Sequence, residues 1–257
     1  MGKIRPINPD EELSLVEHLD ELRTRLIVVL ASFIVVGGIC FWQNNTILEI
    51  VNRPLPDDMT PATFGVSEAF MSTLTVSMYA ALIILMPLIV YQVYAFVIPA
   101  FTDAEKRVAL PVMLIAPLLF VAGVLFGYFV VLPPAVNFLL GFNEDEFNML
   151  VRARDYYSFF ALTVLSMGVL FELPLAVVAA TKLGVITPRQ LRKNRRYALL
   201  AIAVVAMLLP GTDPVTMLIE MVPLLLLFEL SIWISVWLGN PNTSAILEKS
   251  ETTPAVR

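Results

Sequence analysis

The stretch Ala69–Val97 runs for 29 residues without an Asp, Glu, Lys or Arg. As a helix it would rise roughly 40 Å, more than the ~30 Å hydrocarbon core of a bilayer. So long an apolar run, interrupted only by Pro87, points to a membrane rather than to a soluble core. The pattern recurs. Leu26–Trp42 closes on an interfacial Trp42, and Val108–Leu132 ends at Pro133-Pro134. Tyr157–Leu183 is bent at Pro174, whose missing N–H removes one helical bond. The last apolar stretch, Tyr197–Leu238, is interrupted once by Pro210-Gly211-Thr212-Asp213-Pro214, a run of turn formers that predicts a hairpin of two helices. Only 15% of the chain is charged, against about a quarter in a soluble domain, so there is too little polar surface to dissolve it.

The first arm of that hairpin, Tyr197–Leu209, is short. Its 13 residues make about 20 Å of helix, about 10 Å less than a normal bilayer core. Either the membrane thins there or the arm sits in a partly wet hollow. Orientation follows from the basic residues. Of the 17 Lys and Arg, only Arg53, Arg152 and Arg154 fall in the loops of one side, and the rest lie on the other, which is therefore the cytoplasmic one. The expectation is an all-α protein of six transmembrane helices, both termini inside, with the last two helices short.

Residues 1–238 are expected to form one domain, including an amphipathic cytoplasmic segment at 10–25, with 239–257 as a disordered cytoplasmic tail. No secretory signal is expected, because the first apolar run follows the acidic Asp10-Glu11-Glu12 and lacks a cleavage site of small residues. In the first outer loop, Ile47-Leu48-Glu49-Ile50-Val51 before Pro54 reads as a short amphipathic helix at the surface. One cysteine, Cys40, forms no intrachain disulfide, and one histidine, His18, rules out metal sites that need two.

Charges close to or inside the bilayer carry the chemistry. Glu17, Asp20 and Glu21 share one helical face just before the first span, and Glu21 stands four residues before Arg25. An intrahelical ion pair accounts for that spacing as well as a binding role does. Glu105 lies in the tight inner loop Phe101–Arg107, where a solvated loop charge is the plain alternative. Glu172, in Phe171-Glu172-Leu173-Pro174, falls near the middle of the fourth span. A carboxyl at that depth costs about 2.5–3.5 kcal/mol on insertion scales and must face water or a partner. Asp213, in the hairpin turn, is placed to cap the last helix.

His18-Leu19-Asp20-Glu21-Leu22-Arg23 resembles the H-L-x-E-L-R signature of the TatC family, the core receptor subunit of the twin-arginine protein translocase. Further marks occur in order: Pro54-Leu55; Tyr91-Gln92-Val93-Tyr94-Ala95-Phe96 with Pro99; Glu105 before a basic pair; Phe171-Glu172-x-Pro174; Leu191-Arg192-Lys193; and Asp213 in a Pro-flanked turn. The resemblance covers about Leu15 to Leu238. Tyr94 stands where the family commonly has Trp, and Phe101 where it commonly has Leu.

The resemblance implies a non-enzymatic receptor and scaffold in a bacterial or archaeal cytoplasmic membrane. It would bind twin-arginine signal peptides on its inner face and assemble with itself and with single-span TatA/TatB-type subunits. Folded proteins would then be exported with the proton-motive force. Glu21, Glu105, Arg23, Glu17, Asp20 and Phe96 are the implied signal-peptide site. Glu172, Asp213 and Met207 are the implied intramembrane contacts, with Pro54, Pro99 and Pro174 structural. Lipid is an expected partner, and nucleic acid and cofactors are not. A carboxylate pair suits two arginines because each can grip a guanidinium bidentately, and arginine does not deprotonate to escape.

Two other classes compete. A proton-coupled transporter of small solutes would explain Glu172 and the broken helices, but such folds commonly carry internal repeats, and none is evident here. An intramembrane enzyme would need a nucleophile–base pair that the chain does not offer. No Gly-rich nucleotide loop is present, so energy must come from an ion gradient or a partner.

Overall fold

The computed structural model describes residues 15–56, 59–97, 103–143, 146, 150–182, 185–209 and 214–237, apart from the side chains of 15–17, 97, 103–105, 107–110, 112, 113 and 182. Ten α-helices account for most of them, and no strand occurs among the described residues. In chain order they are α1 (Leu15–Trp42), α2 (Asn44–Asn52), α3 (Glu68–Val97), α4 (Asp103–Phe126), α5 (Leu132–Gly141), α6 (Ala153–Leu170), α7 (Leu173–Lys182), α8 (Pro188–Lys193), α9 (Arg195–Leu208) and α10 (Pro214–Trp237). A π turn, Gly127–Val131, joins α4 to α5 without a break.

Among the described residues, five helical stretches are long and apolar enough to cross a membrane: His18–Trp42, Glu68–Phe96, Leu114–Gly141, Ala153–Thr181 and Pro214–Trp237. At most 33% of any of these apolar windows is buried inside the protein, so most of the hydrophobic side chains face outward. That is the arrangement lipid demands, since helices satisfy their own backbone groups and need no water. The remaining apolar helix, α9, has 14 residues and spans about 21 Å, short of a normal core.

Two boundaries differ from the sequence reading. The third apolar helix does not stop at Pro133-Pro134 but continues through α5 to Gly141. Both prolines sit in the first turn after the π turn, where a missing N–H removes little. The segment read as an inner loop, Phe101–Arg107, is helical from Asp103, so Glu105 lies in the first turn of α4. Acids are favoured there by the positive end of the helix dipole. The break at Pro174 holds: α6 ends at Leu170, Phe171-Glu172 forms a turn, and α7 resumes with Pro174 as its second residue. The short amphipathic helix expected after the first span is α2, and Pro54 sits half-buried in the turn behind it. Pro99 and the segment after Trp237, including the expected tail, lie outside the described residues.

Packing is organised around α4 and α6, α1 lying mainly on α3 and α10 on α7 and α9. Between α4 and α6 the backbones nearly touch. A Cβ on Gly123 would stand 2.5 Å from the Met167 carbonyl oxygen, and one on Gly168 2.6 Å from the Phe120 ring. Small residues give membrane helices this close approach, because dispersion rather than hydrophobic exclusion binds them. One core cluster gathers Val51, Leu55, Leu132, Val136, Tyr156 and Phe160 beneath α2. A second joins Met167 and Leu170 of α6 to Ile202 and Ala206 of α9 and Leu224 of α10.

Candidate functional site

The first helix runs unbroken from Leu15 into the membrane, so the acidic motif stands on the same rigid rod as the first span. Its acids do not all face one way. Glu21 turns toward α3 with its side chain 22% exposed, whereas Asp20 points to solvent. The carboxylate of Glu21 is gripped by Arg25, whose Nε donates to Oε1 at 3.0 Å and whose Nη2 also donates to that oxygen. The same guanidinium crosses to α3, donating to Gln92 Oε1 at 3.0 Å and to the Ala95 carbonyl at 3.2 Å. Arg25 therefore ties Glu21 to the end of α3. Arg23 is exposed and takes no part in this contact.

A second tie lies beside the first. His18 stacks on Phe96 at 4.2 Å between ring centroids and 12° between planes. His18 Nδ1 stands 3.9 Å from Glu21 Oε2. One flank of Glu21 is thus aromatic and the other cationic. The two side chains are 24% and 22% exposed, so the Arg25 grip holds Glu21 in place without sealing it from solvent. The side chains of Glu17 and Glu105, and Asp213 as a whole, lie outside the described residues.

Glu172 is set apart from this end. It falls about two-thirds of the way along the Ala153–Thr181 span, in the turn between α6 and α7. Its N–H donates to Val169 O at 3.1 Å and its carbonyl accepts from Ala176 N at 2.9 Å, so the backbone stays bonded across the break. The side-chain Oε1 is buried without a hydrogen-bond partner among the described residues. Tyr94 of α3 lies within electrostatic reach of that carboxyl. Pro174 is buried two residues on. Met207 points outward from α9, 60% exposed, beside the fully buried Ala206.

Of the residues singled out from sequence, then, the structure brings together Glu21 and Phe96, joined by His18, and leaves Asp20, Arg23 and Met207 facing outward. The Glu21–Arg25 pair was legible as an i,i+4 spacing. The contributions of Gln92, Ala95 and the His18–Phe96 stack were not, because they join positions some 70 residues apart. Arg195 of α9 pairs with Glu229 of α10 at 2.8 Å, holding the hairpin arms together near the basic loop.

Comparison with known proteins gives a consistent picture. Residues 17–223 match the family described as Sec-independent protein translocase protein (TatC). A TatC protein of Aquifex aeolicus is 36% identical over 227 residues, covering 86% of this chain and 94% of its own length. One from Halalkalibacterium halodurans is 32% identical over 228 residues, covering 88% and 90%. Among solved structures, a crystal structure of the twin arginine translocase receptor TatC superposes with a TM-score of 0.75 at 34% identity, over 86% of this chain and 99% of that one. A second, of the same receptor in DDM, gives 0.76 at 35% identity over 85% and 99%.

Proposed function

The chain belongs to the TatC family of Sec-independent protein translocase proteins, and from that premise we propose that it is the signal-peptide receptor and scaffold of a twin-arginine translocase. It is a multi-pass protein of the bacterial cytoplasmic membrane, acting in protein transport. In the proposed reading it has six spans with both termini in the cytoplasm, α9 being a short fifth span, and the Glu21 end faces inward. Assembly with single-span TatA/TatB-type subunits and with further copies of itself, driven by the proton-motive force and without catalysis of its own, completes the proposal.

The observation that carries it is the state of Glu21. Its carboxylate is already bound to a guanidinium, on the surface of a helix that is fixed to α3. An arginine of a signal peptide makes the same kind of bond. It can replace Arg25 on Glu21 while Arg25 keeps its bonds to Gln92 and Ala95. Glu105, two residues into α4, is the second acid of the proposal and receives the second arginine. Phe96 and His18 form the apolar flank against which the signal lies.

The test is binding of one twin-arginine signal peptide and its twin-lysine counterpart to the purified protein. Charge-assisted bonds of this kind are worth about 1.5–3 kcal/mol, so Glu21→Ala or Glu105→Ala is expected to weaken the twin-arginine signal about tenfold or more. The twin-lysine signal should bind worse from the start, since lysine cannot grip bidentately. Unchanged affinity in the double variant sinks the assignment.

Glu172 is proposed to meet polar groups of a partner's transmembrane segment, or water, within the bilayer. Glu172→Gln keeps the hydrogen-bonding shape and should retain substantial export, whereas Glu172→Ala should impair it with signal binding intact. Failure of the Gln variant as complete as that of Ala points instead to titration during transport. Full export by the Ala variant removes both roles.

A further inference from the structure

At the end of the bundle opposite Glu21, the first turns of α3 and α6 enclose a polar cavity of about 580 Å³. Gly65, Glu68, Ser72 and Thr75 line it on one side, and Arg152, Arg154 and Tyr157 on the other. Glu68 is committed: its carboxylate accepts from Arg152 Nε at 2.7 Å, from Arg152 Nη2 at 3.4 Å and from the Phe64 N–H at 3.0 Å. That pairing neutralises Arg152. Arg154 remains, with no ion pair among the described residues, so the lining carries one uncompensated positive charge. Asp155 lies near Arg152 but does not line the cavity.

Two further features favour an anion. The N-termini of α3 and α6, helices of 30 and 18 residues, converge on the cavity and place the positive ends of two helix dipoles there. Ser72, only 4% exposed, lines the same cavity, and its hydroxyl has no hydrogen-bond partner among the described residues. A buried hydroxyl in an apolar protein is costly to leave unbonded; the oxygen itself is enclosed, and a rotation about χ1 is what would bring it to a partner in the adjoining cavity.

We infer that this cavity binds a phosphate group, presented by the headgroup of an anionic phospholipid. Depth selects the lipid. Glu68 and Ala153 are the first residues of their spans, so the cavity opens at the level where phospholipid phosphates lie. Arg154 supplies the fork, Arg152, fixed by Glu68, a second guanidinium at the rim, and Ser72, once its side chain turns, a hydroxyl donor one helical turn deeper. The inference uses only the membrane location and is independent of the signal-peptide reading.

The experiment uses the full chain purified in a neutral detergent, with phosphatidylglycerol titrated in and bound lipid counted by native mass spectrometry. Inorganic phosphate, at millimolar concentration and without lipid, forms the second arm. The wild-type protein is expected to retain one phosphatidylglycerol that survives mild activation. Arg154→Gln, at an exposed position without an ion pair among the described residues, should weaken that binding about tenfold, the loss of one charge-assisted fork. Ser72→Ala should weaken it a few-fold, and a twin-arginine signal should bind both variants as it does the wild type. Equal retention by wild type and the double variant overturns the inference. Binding of inorganic phosphate alone, with no retained lipid, overturns it as well by assigning the site to a free anion.

Discussion

The two ends of this bundle are fastened in different ways. At the end opposite Glu21, side chains from distant elements bond to backbone: Tyr156 Oη donates to Val51 O at 2.7 Å, and Tyr128 Oη to Ile50 O at 2.9 Å, clamping α2 onto the bundle. Ala62 and Arg152 form a parallel bridge, and Glu68 closes on Arg152. At the Glu21 end the fastening is one arginine, bonded to two side chains and to the Ala95 carbonyl, and one ring stack, all of it partly exposed. A buried bond such as that of Tyr156 to the Val51 carbonyl cannot be exchanged for a ligand without leaving the carbonyl unsatisfied, whereas an arginine on a partly exposed carboxylate can be replaced by another arginine. In the proposed reading the first end stays and the second is traded.

The largest expected effect lies between the two ends, where both depend on the α4–α6 contact. Gly123→Val places a side chain within 2.5 Å of a backbone oxygen that cannot step aside. Overpacking of this kind costs about 1–3 kcal/mol and more where backbone is the obstacle. Thermal unfolding in detergent should show the variant as the least stable of those named here. Wild-type stability would mean the helices can separate freely, and the contrast between the ends would lose its common base.

The fastened end predicts a smaller but definite loss. Tyr156→Phe deletes a buried bond and leaves the Val51 carbonyl without its donor, which should cost about 1–2 kcal/mol of stability and leave signal affinity unchanged. The mirror-image change is Arg25→Gln. It should cost less stability than Tyr156→Phe, since the bonds given up to Gln92 and the Ala95 carbonyl are only partly buried, and raise twin-arginine signal affinity a few-fold, because the incoming arginine no longer competes for Glu21. If Arg25→Gln destabilised the protein as much as Tyr156→Phe, the Glu21 end would be structural like its opposite. Loss of signal affinity in Arg25→Gln would make that arginine part of the binding surface rather than its occupant.

Much of this architecture could be read from the chain because lipid enforces a simple code. Apolar length gives the spans, and Pro174 marks the α6–α7 break through the bond it cannot make. The errors came where one feature carries two meanings. Pro133-Pro134 looks like a terminus, yet proline is tolerated in a first turn, and whether a turn is first depends on the π turn before it, which no composition signals. Asp103 to Arg107 looks like a charged loop, but the same acids suit a helix start. At the site, local spacing exposed the Glu21–Arg25 pair. The Gln92 and Ala95 bonds and the His18–Phe96 stack around it depend on how α1 meets α3, and the cavity around Ser72 and Arg154 likewise exists only once α3 and α6 are side by side.

The π turn has a consequence best put as a matter of phase. Buried positions on the helix through α4 fall at Ala116, Phe120, Gly123 and Gly127, the stride of an ordinary α-helix. Continued at that stride, the inward row would next reach positions 130 and 134, yet Val130 and Pro134 are exposed, and Val131, Leu132, Ala135 and Val136 are buried in their place. The wide turn takes up about one extra residue, so everything after it is rotated by roughly 100° relative to an unbroken helix. The two halves of the rod are therefore keyed to different neighbours, the first to Met167 and Phe171 of the α6–α7 stretch, the second to Tyr156 and Tyr157 at the start of α6. Their relative angle is set by a count of residues rather than by any contact. A deletion of one residue there would keep every side chain's chemistry and still point half of them the wrong way.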